Sequence, residues 1–225
     1  MDTTTKVATA VEAFLRHEGS GHDWQHIYRV WQVAQKLAEE EGANLEIVNL
    51  AALLHDVDDY KLTNDPTSEE KLPTARKIMA EAGISEAIIE IVCTTIKMTG
   101  FAKSLAGKTE RTLEAHILSD ADQLDAIGAI AIARVFAYGG HKNRLIFNPE
   151  DIPQTQTTRE SYVNNNSCGI SHFFEKLLKL RHMMFTATSK GEAEIRHKFM
   201  VEYLDQFFTE AAAPAIWKER LNQFR

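Results

Sequence analysis

Three places in the chain set polar chemistry into apolar sequence: His26, the doublet His55-Asp56, and the cluster Asp120-Ala121-Asp122-Gln123-Leu124-Asp125. An imidazole or carboxylate buried without a partner is strongly disfavoured, and one divalent cation is able to compensate several of them at once. His55 and Asp56 end the apolar run Leu50-Ala51-Ala52-Leu53-Leu54, so their backbone is anchored in a core. A helix C-terminus is the negative end of its dipole, which makes a carboxylate there awkward and a cation beside it favourable. Taken singly, each feature also has a plain structural reading: a His-Asp pair closing a helix, or a satisfied histidine on the edge of an apolar face. In helical projection Asp122 shares a side with Leu118, Asp125, Ala126 and Ala129, whereas Asp120 faces elsewhere. Spacing therefore pairs Asp122 with Asp125 and does not choose between them.

The elements that must hold these groups read as helices. From 22 to 41, Ile27, Val30, Trp31, Ala34, Leu37 and Ala38 form an i, i+3, i+4, i+7 stripe, which Gly42 ends. The segment 45–54 is apolar on nearly every side, as expected of a short central helix enclosed by others, with Asn44 as its cap. Further helices are predicted over 68–82, 85–97, 112–138, 171–186 and 190–212. The turn-like stretch Thr63-Asn64-Asp65-Pro66 separates two of the predicted helices. Two longer connections, 99–109 and 139–169, read as loops that are either lids or surface excursions, with a faint hairpin signal at 144–147. There is no repeat, no low-complexity tract and no parallel-sheet alternation. The expected fold class is all-α.

Composition limits what such a chain does. Its 225 residues carry 25 Lys+Arg against 32 Asp+Glu, a formal charge of −7, which argues against non-specific binding to long nucleic acids. A hydrophobic fraction of 44% with 25% charged residues is ordinary globular composition and excludes wholesale disorder. Cys93 and Cys168 form no CxxC motif and no disulfide framework, so a reducing, cytoplasmic compartment is expected. The N-terminal residues lack a signal-peptide pattern. The longest apolar stretch, 126–133, is stopped by Arg134, far short of the about 20 residues a membrane span needs.

The ordered pattern H…HD…D, with His26, His55-Asp56 and Asp122, resembles the HD-domain superfamily of metal-dependent phosphohydrolases. The blocks His22-Asp23-Trp24-Gln25-His26, Leu53-Leu54-His55-Asp56-Val57-Asp58-Asp59-Tyr60-Lys61 and Ala121-Asp122-Gln123-Leu124-Asp125 are similar to the signatures of its small, single-domain bacterial branch. The similarity extends through Arg134-Val135-Phe136-Ala137-Tyr138-Gly139-Gly140 and His172-Phe173-Phe174-Glu175-Lys176-Leu177-Leu178-Lys179-Leu180. The resemblance implies one HD-type helical bundle over 1–225, its metal-site core at about 20–140 and C-terminal helices at about 170–212 closing the pocket. It implies His26, His55, Asp56 and Asp122 as ligands of one divalent metal. The branch it resembles includes manganese-dependent enzymes, which implies manganese as the preferred ion; mixed N/O ligation by itself suits Mn, Co, Ni, Fe or Zn better than Mg.

Asp59 stands where related hydrolases carry an acidic residue that orients water or handles a proton, while Asp58 reads as part of a solvated acidic turn. Lys61 matches the family block as a phosphate contact or is a surface lysine. Arg29 follows His26 by one turn and either reaches the same cavity or makes a surface ion pair. His172, Lys176 and Lys179 are candidates for holding a phosphate tail. Lys97-Met98 and Gln123 depart from the family pattern, the latter removing a basic side chain.

The expected activity is hydrolysis of a small phosphorylated metabolite, foremost a nucleoside triphosphate cut to monophosphate and pyrophosphate. The same parts serve a nucleotide phosphomonoesterase or phosphodiesterase, and a non-enzymatic nucleotide-sensing module is the alternative outside catalysis. His22-Asp23-Trp24-Gln25-His26 also approaches the zincin HExxH, but with a shorter acid, at a helix start and without a completing motif. Neither spacing nor composition specifies an oligomeric state.

Overall fold

The computed structural model describes residues 2–16, 23–63, 65, 67–99, 111–152 and 167–225, with Tyr60 and Lys61 described by backbone alone. Helices dominate, and no strand occurs among the described residues, in agreement with the all-α expectation. The chain forms two compact units, Met1–Asp122 and Gln123–Arg225.

The first unit contains α1 (Thr3–Phe14), α2 (Trp24–Glu41), α3 (Leu45–Leu54), the short turns α4 (Tyr60–Thr63) and α5 (Ser68–Lys71), α6 (Pro73–Ala82), α7 (Glu86–Lys97) and most of α8 (Leu113–Asp125). Its centre is α3, which packs against α1, α2 and α7. Seven of its ten residues are buried, including Leu50, Leu53 and Leu54, so this helix is enclosed rather than amphipathic. Truncating such a leucine to alanine costs about 2–5 kcal/mol. Asn44 caps α3 as expected, its side chain accepting the N–H groups of Glu46 and Ile47. Trp31 Nε1 donates to Asn49 Oδ1 at 2.8 Å and ties α2 to α3. Gly42 closes α2 with φ 72, a conformation that glycine adopts without Cβ strain.

The continuous helix predicted over 68–82 is broken. Leu72 takes φ 51 between α5 and α6, because Pro73 at the first position of α6 drives its predecessor out of the helical region. The cap of α6 comes from elsewhere. Asp58 Oδ1 accepts the N–H of Thr74 at 3.0 Å and Oδ2 that of Ala75 at 2.9 Å. Ser68 Oγ donates to the Asp58 carbonyl at 2.7 Å. The reading of Asp58 as a solvated turn residue is therefore corrected: it is 1% exposed and satisfies the first amides of α6.

The second unit holds the end of α8, then α9 (Ala129–His141), α10 (Gly169–Glu175), a 3-10 helix (Leu177–Met183), α11 (Ala187–Glu210) and α12 (Ala215–Asn222). Its core is aromatic. The Trp217 ring lies 5.1 Å from Phe147, 5.6 Å from Phe174 and 5.6 Å from Phe208, centroid to centroid. Its indole N–H donates to the Pro149 carbonyl, which satisfies the one polar atom of a buried ring.

Three sequence expectations change in this unit. The helix predicted over 112–138 divides at 126–128, where Gly128 takes φ 91. The helix predicted over 171–186 stops at Glu175 and continues as 3-10 turns from Leu177. The segment 144–147 is no hairpin; the carbonyls of Leu145 and Ile146 accept the N–H groups of Gly169 and Ile170 at the start of α10. Residues 100–110 and 153–166, which include nearly all of the first predicted loop and a little under half of the second, lie outside the described residues. No described helix is long and apolar enough to cross a membrane.

Candidate metal centre

The first unit brings His26, His55, Asp56 and Asp122 together. His26 enters from the first turn of α2, whose cap Asp23 accepts the His26 N–H at 2.9 Å. Asp23 is thereby committed as a helix cap, so the HExxH-like reading lacks its base, and His22 lies outside the described residues. His55 and Asp56 follow the last turn of α3, and Asp122 projects from α8.

The separations are characteristic. His26 Nε2 stands 3.4 Å from Asp56 Oδ2 and 3.6 Å from Asp122 Oδ1. His55 Nε2 stands 3.6 Å from Asp56 Oδ1 and 4.0 Å from Asp122 Oδ1. The two imidazole rings are 5.4 Å apart, near edge-on. One ligating atom from each of His26, His55 and Asp56 lies within 4.8 Å of the others. Most of these gaps exceed a hydrogen bond, yet they match two donors that each sit about 2.1 Å from a shared cation.

The polar bookkeeping at His55 agrees with a cation. Its Nδ1 lies 2.8 Å from the Ala52 carbonyl, which only accepts, so Nδ1 bears the proton and Nε2 keeps a lone pair. That Nε2 is buried and has no hydrogen-bond partner. A buried acceptor left this way is costly, and a metal removes the cost, the other nitrogen being anchored in the usual manner of a ligating imidazole. His26, His55 and Asp56 are largely enclosed, with side chains 4%, 6% and 14% exposed, whereas that of Asp122 is 41% exposed.

The tie between Asp122 and Asp125 resolves by location. Asp125 is buried in the second unit and accepts Arg134 Nη1 at 2.6 Å. Asp122 is the one beside the histidines. Sequence alone did not reveal this, because the arginine partner sits on the next helix.

The remaining candidates are distributed as follows. Asp59 is half-buried; its N–H donates to the Asp56 carbonyl at 3.0 Å, and its own carbonyl starts α4. Lys61 lies on α4, with its side chain outside the described residues. Arg29 is half-buried on α2. His172, Lys176 and Lys179 belong to the second unit. Burial, reinforced by the Lys176 and Arg144 cations, pushes the His172 imidazole down to about 3, so it is neutral at physiological pH. Lys176 ends α10, and the Lys179 N–H donates to its carbonyl, so the two lysines stand one 3-10 turn apart. Burial lowers the Lys179 ammonium, against an opposing pull from Glu175.

Comparison with known proteins places this geometry. A family model for the HD domain matches residues 23–127. The YpgQ protein of Bacillus subtilis is 34% identical over 202 residues, 89% of this chain and 90% of that protein. Its crystal structure in complex with ADP superposes with a TM-score of 0.71 at 32% identity, covering 92% of this chain and 94% of that one. A Lactobacillus plantarum structure gives a TM-score of 0.82 at 37% identity, covering 94% and 98%. An HD-superfamily hydrolase from Bacillus thuringiensis gives 0.71 at 36%, covering 94% and 97%.

Proposed function

Because this chain belongs to the HD superfamily of metal-dependent hydrolases, we propose that it hydrolyses a small phosphorylated metabolite, foremost a nucleoside triphosphate to monophosphate and pyrophosphate. The observation that carries this reading is the His26, His55, Asp56 and Asp122 cluster, with His55 Nε2 buried and awaiting a partner. The ADP held by the Bacillus subtilis relative supports a nucleotide as ligand class.

In this proposal the four residues hold one divalent ion, manganese by preference. Such an ion, when bound, polarises a phosphoryl oxygen and lowers the pKa of water. The chain's own residues do the rest. Ala52 fixes the His55 tautomer through Nδ1. Asp59 orients the attacking water and takes or returns a proton. Lys61, Arg29, His172, Lys176 and Lys179 keep the phosphate-contact roles assigned to them from sequence, as charge-stabilising or hydrogen-bonding groups. The reading of 1–225 as one HD-type hydrolase, acting in the cytoplasm, is part of the same proposal.

A panel of nucleotides incubated with Mn²⁺, scoring pyrophosphate and orthophosphate separately, tests it. Pyrophosphate release from a triphosphate is the expected result. Orthophosphate alone would replace it with a phosphomonoesterase, and tight nucleotide binding without product under several metals would make the protein a sensing module.

A further inference from the structure

We infer that Arg196, passing over Gly128, is a positioning residue for Asp122, with the Arg134–Asp125 ion pair as its second anchor; this rests on the ligand role proposed for Asp122. The last carbonyls of α8 have no helical N–H ahead of them. Gln123 finds Ala126 N–H at 3.1 Å, but Leu124 finds Ile127 N–H only at 3.3 Å. Arg196, from the distant α11, supplies a better donor: its Nη1 reaches the Leu124 carbonyl at 2.6 Å, while its Nε is held by Glu192 at 2.7 Å. Arg134 from α9 holds the next residue, Asp125, at 2.6 Å. Two guanidinium groups from two helices thus grip consecutive residues in the last turn of α8, where positive charge also complements the helix dipole.

Gly128 makes the approach feasible. Its φ of 91 disfavours any L side chain, and a Cβ there would lie 3.2 Å from both Cβ and Cγ of Arg196. The glycine therefore both turns the chain out of α8 and leaves room for the arginine stem.

Asp122 needs this support more than the other three ligands do. His26, His55 and Asp56 are fixed by their own burial, whereas the Asp122 side chain is 41% exposed. Its location is set by the backbone turn that carries it, and that turn ends two residues later in the Arg196 and Arg134 contacts. Metal sites tolerate a ligand displacement of only about 0.5 Å.

Manganese binding to chelator-treated full-length protein, measured by titration calorimetry, tests the inference without reference to turnover. Arg196→Met keeps the stem and removes the donor; it is expected to weaken Mn²⁺ binding about 10-fold, as loss of a supporting contact does at other metal centres. Arg196→Lys restores part of the loss. Asp122→Asn sets the scale, and in that background Arg196→Met is expected to add nothing, since its effect passes through Asp122. Should Arg196→Met fail to fold, Gly128→Ala, which keeps every charge and crowds the arginine stem, is expected to weaken Mn²⁺ in the same direction. Unchanged Mn²⁺ affinity in Arg196→Met or Gly128→Ala, or an equal loss with and without Asp122, overturns the positioning role alone. Unchanged affinity in Asp122→Asn overturns the ligand assignment and this inference with it.

Discussion

His55 Nδ1 donates to the Ala52 carbonyl across 2.8 Å, one turn back along α3, and this leaves His55 Nε2 directed at Asp56 and Asp122 as a bare lone pair. The orientation is built by helix geometry, so it is in place before any ion arrives. Elemental analysis of untreated protein is expected to find about one divalent metal per chain. His55→Ala and Asp56→Ala are each expected to abolish it, and metal retained in both variants would remove these residues from the ligand set.

Asp59→Asn separates chemistry from binding. The metal content is expected to stay at the wild-type level while kcat falls about 100-fold, the usual scale for a lost acid–base group. Full activity in this variant would make Asp59 simply the residue that starts α4.

Asp58 makes a contrasting prediction, on stability. Its carboxylate accepts two backbone N–H groups at the start of α6 in a buried setting. Asp58→Ala strips both and is expected to cost about 2–3 kcal/mol. Urea unfolding reads this as a lower midpoint with unchanged m-value. A midpoint within error of wild type would return Asp58 to the solvated turn first expected of it.

Acid sensitivity follows from His172. Burial holds its folded-state value at about 3, against 6.5 for an ordinary imidazole. Between these two values the unfolded chain binds the extra proton and the folded chain does not, so stability rises with pH across that window. The contribution is complete above pH 6.5 and drains away as pH falls toward 3. Burial lowers the imidazoles of His116 and His197 in the same direction. Stability measured by denaturant from pH 7 downward is therefore expected to decline, and His172→Gln to flatten the slope. An identical slope in that variant would contradict the assignment.

What was legible in the sequence had local causes. The stripe from Ile27 to Ala38, the cap at Asn44 and the enclosed run of α3 each declare themselves within a few residues. The breaks at Leu72 and at 126–128 were hidden because apolar periodicity runs through them; Pro73 and Gly128 were the available signals. The roles of Asp58 and Asp125 depend on Thr74, Ala75 and Arg134, partners that no spacing rule connects to them. The family pattern H…HD…D selected Asp122 where helical projection left two candidates, and the geometry brings it to His26 and His55. The helices α1 and α12 went unread, the latter because it is short and its weight lies in Trp217 and Leu221.

The carboxylate of Asp58 ties the fate of the His55-Asp56 doublet to a helix that contributes no ligand. The chain just past Asp56 is fastened to Thr74 and Ala75, so it swings outward only when the first turn of α6 lets go. The 55–58 turn and the start of α6 are thereby fastened to each other, so they are expected to open together rather than as a free loop. At the proposed metal site, loss of the ion is therefore expected to leave the cradle assembled.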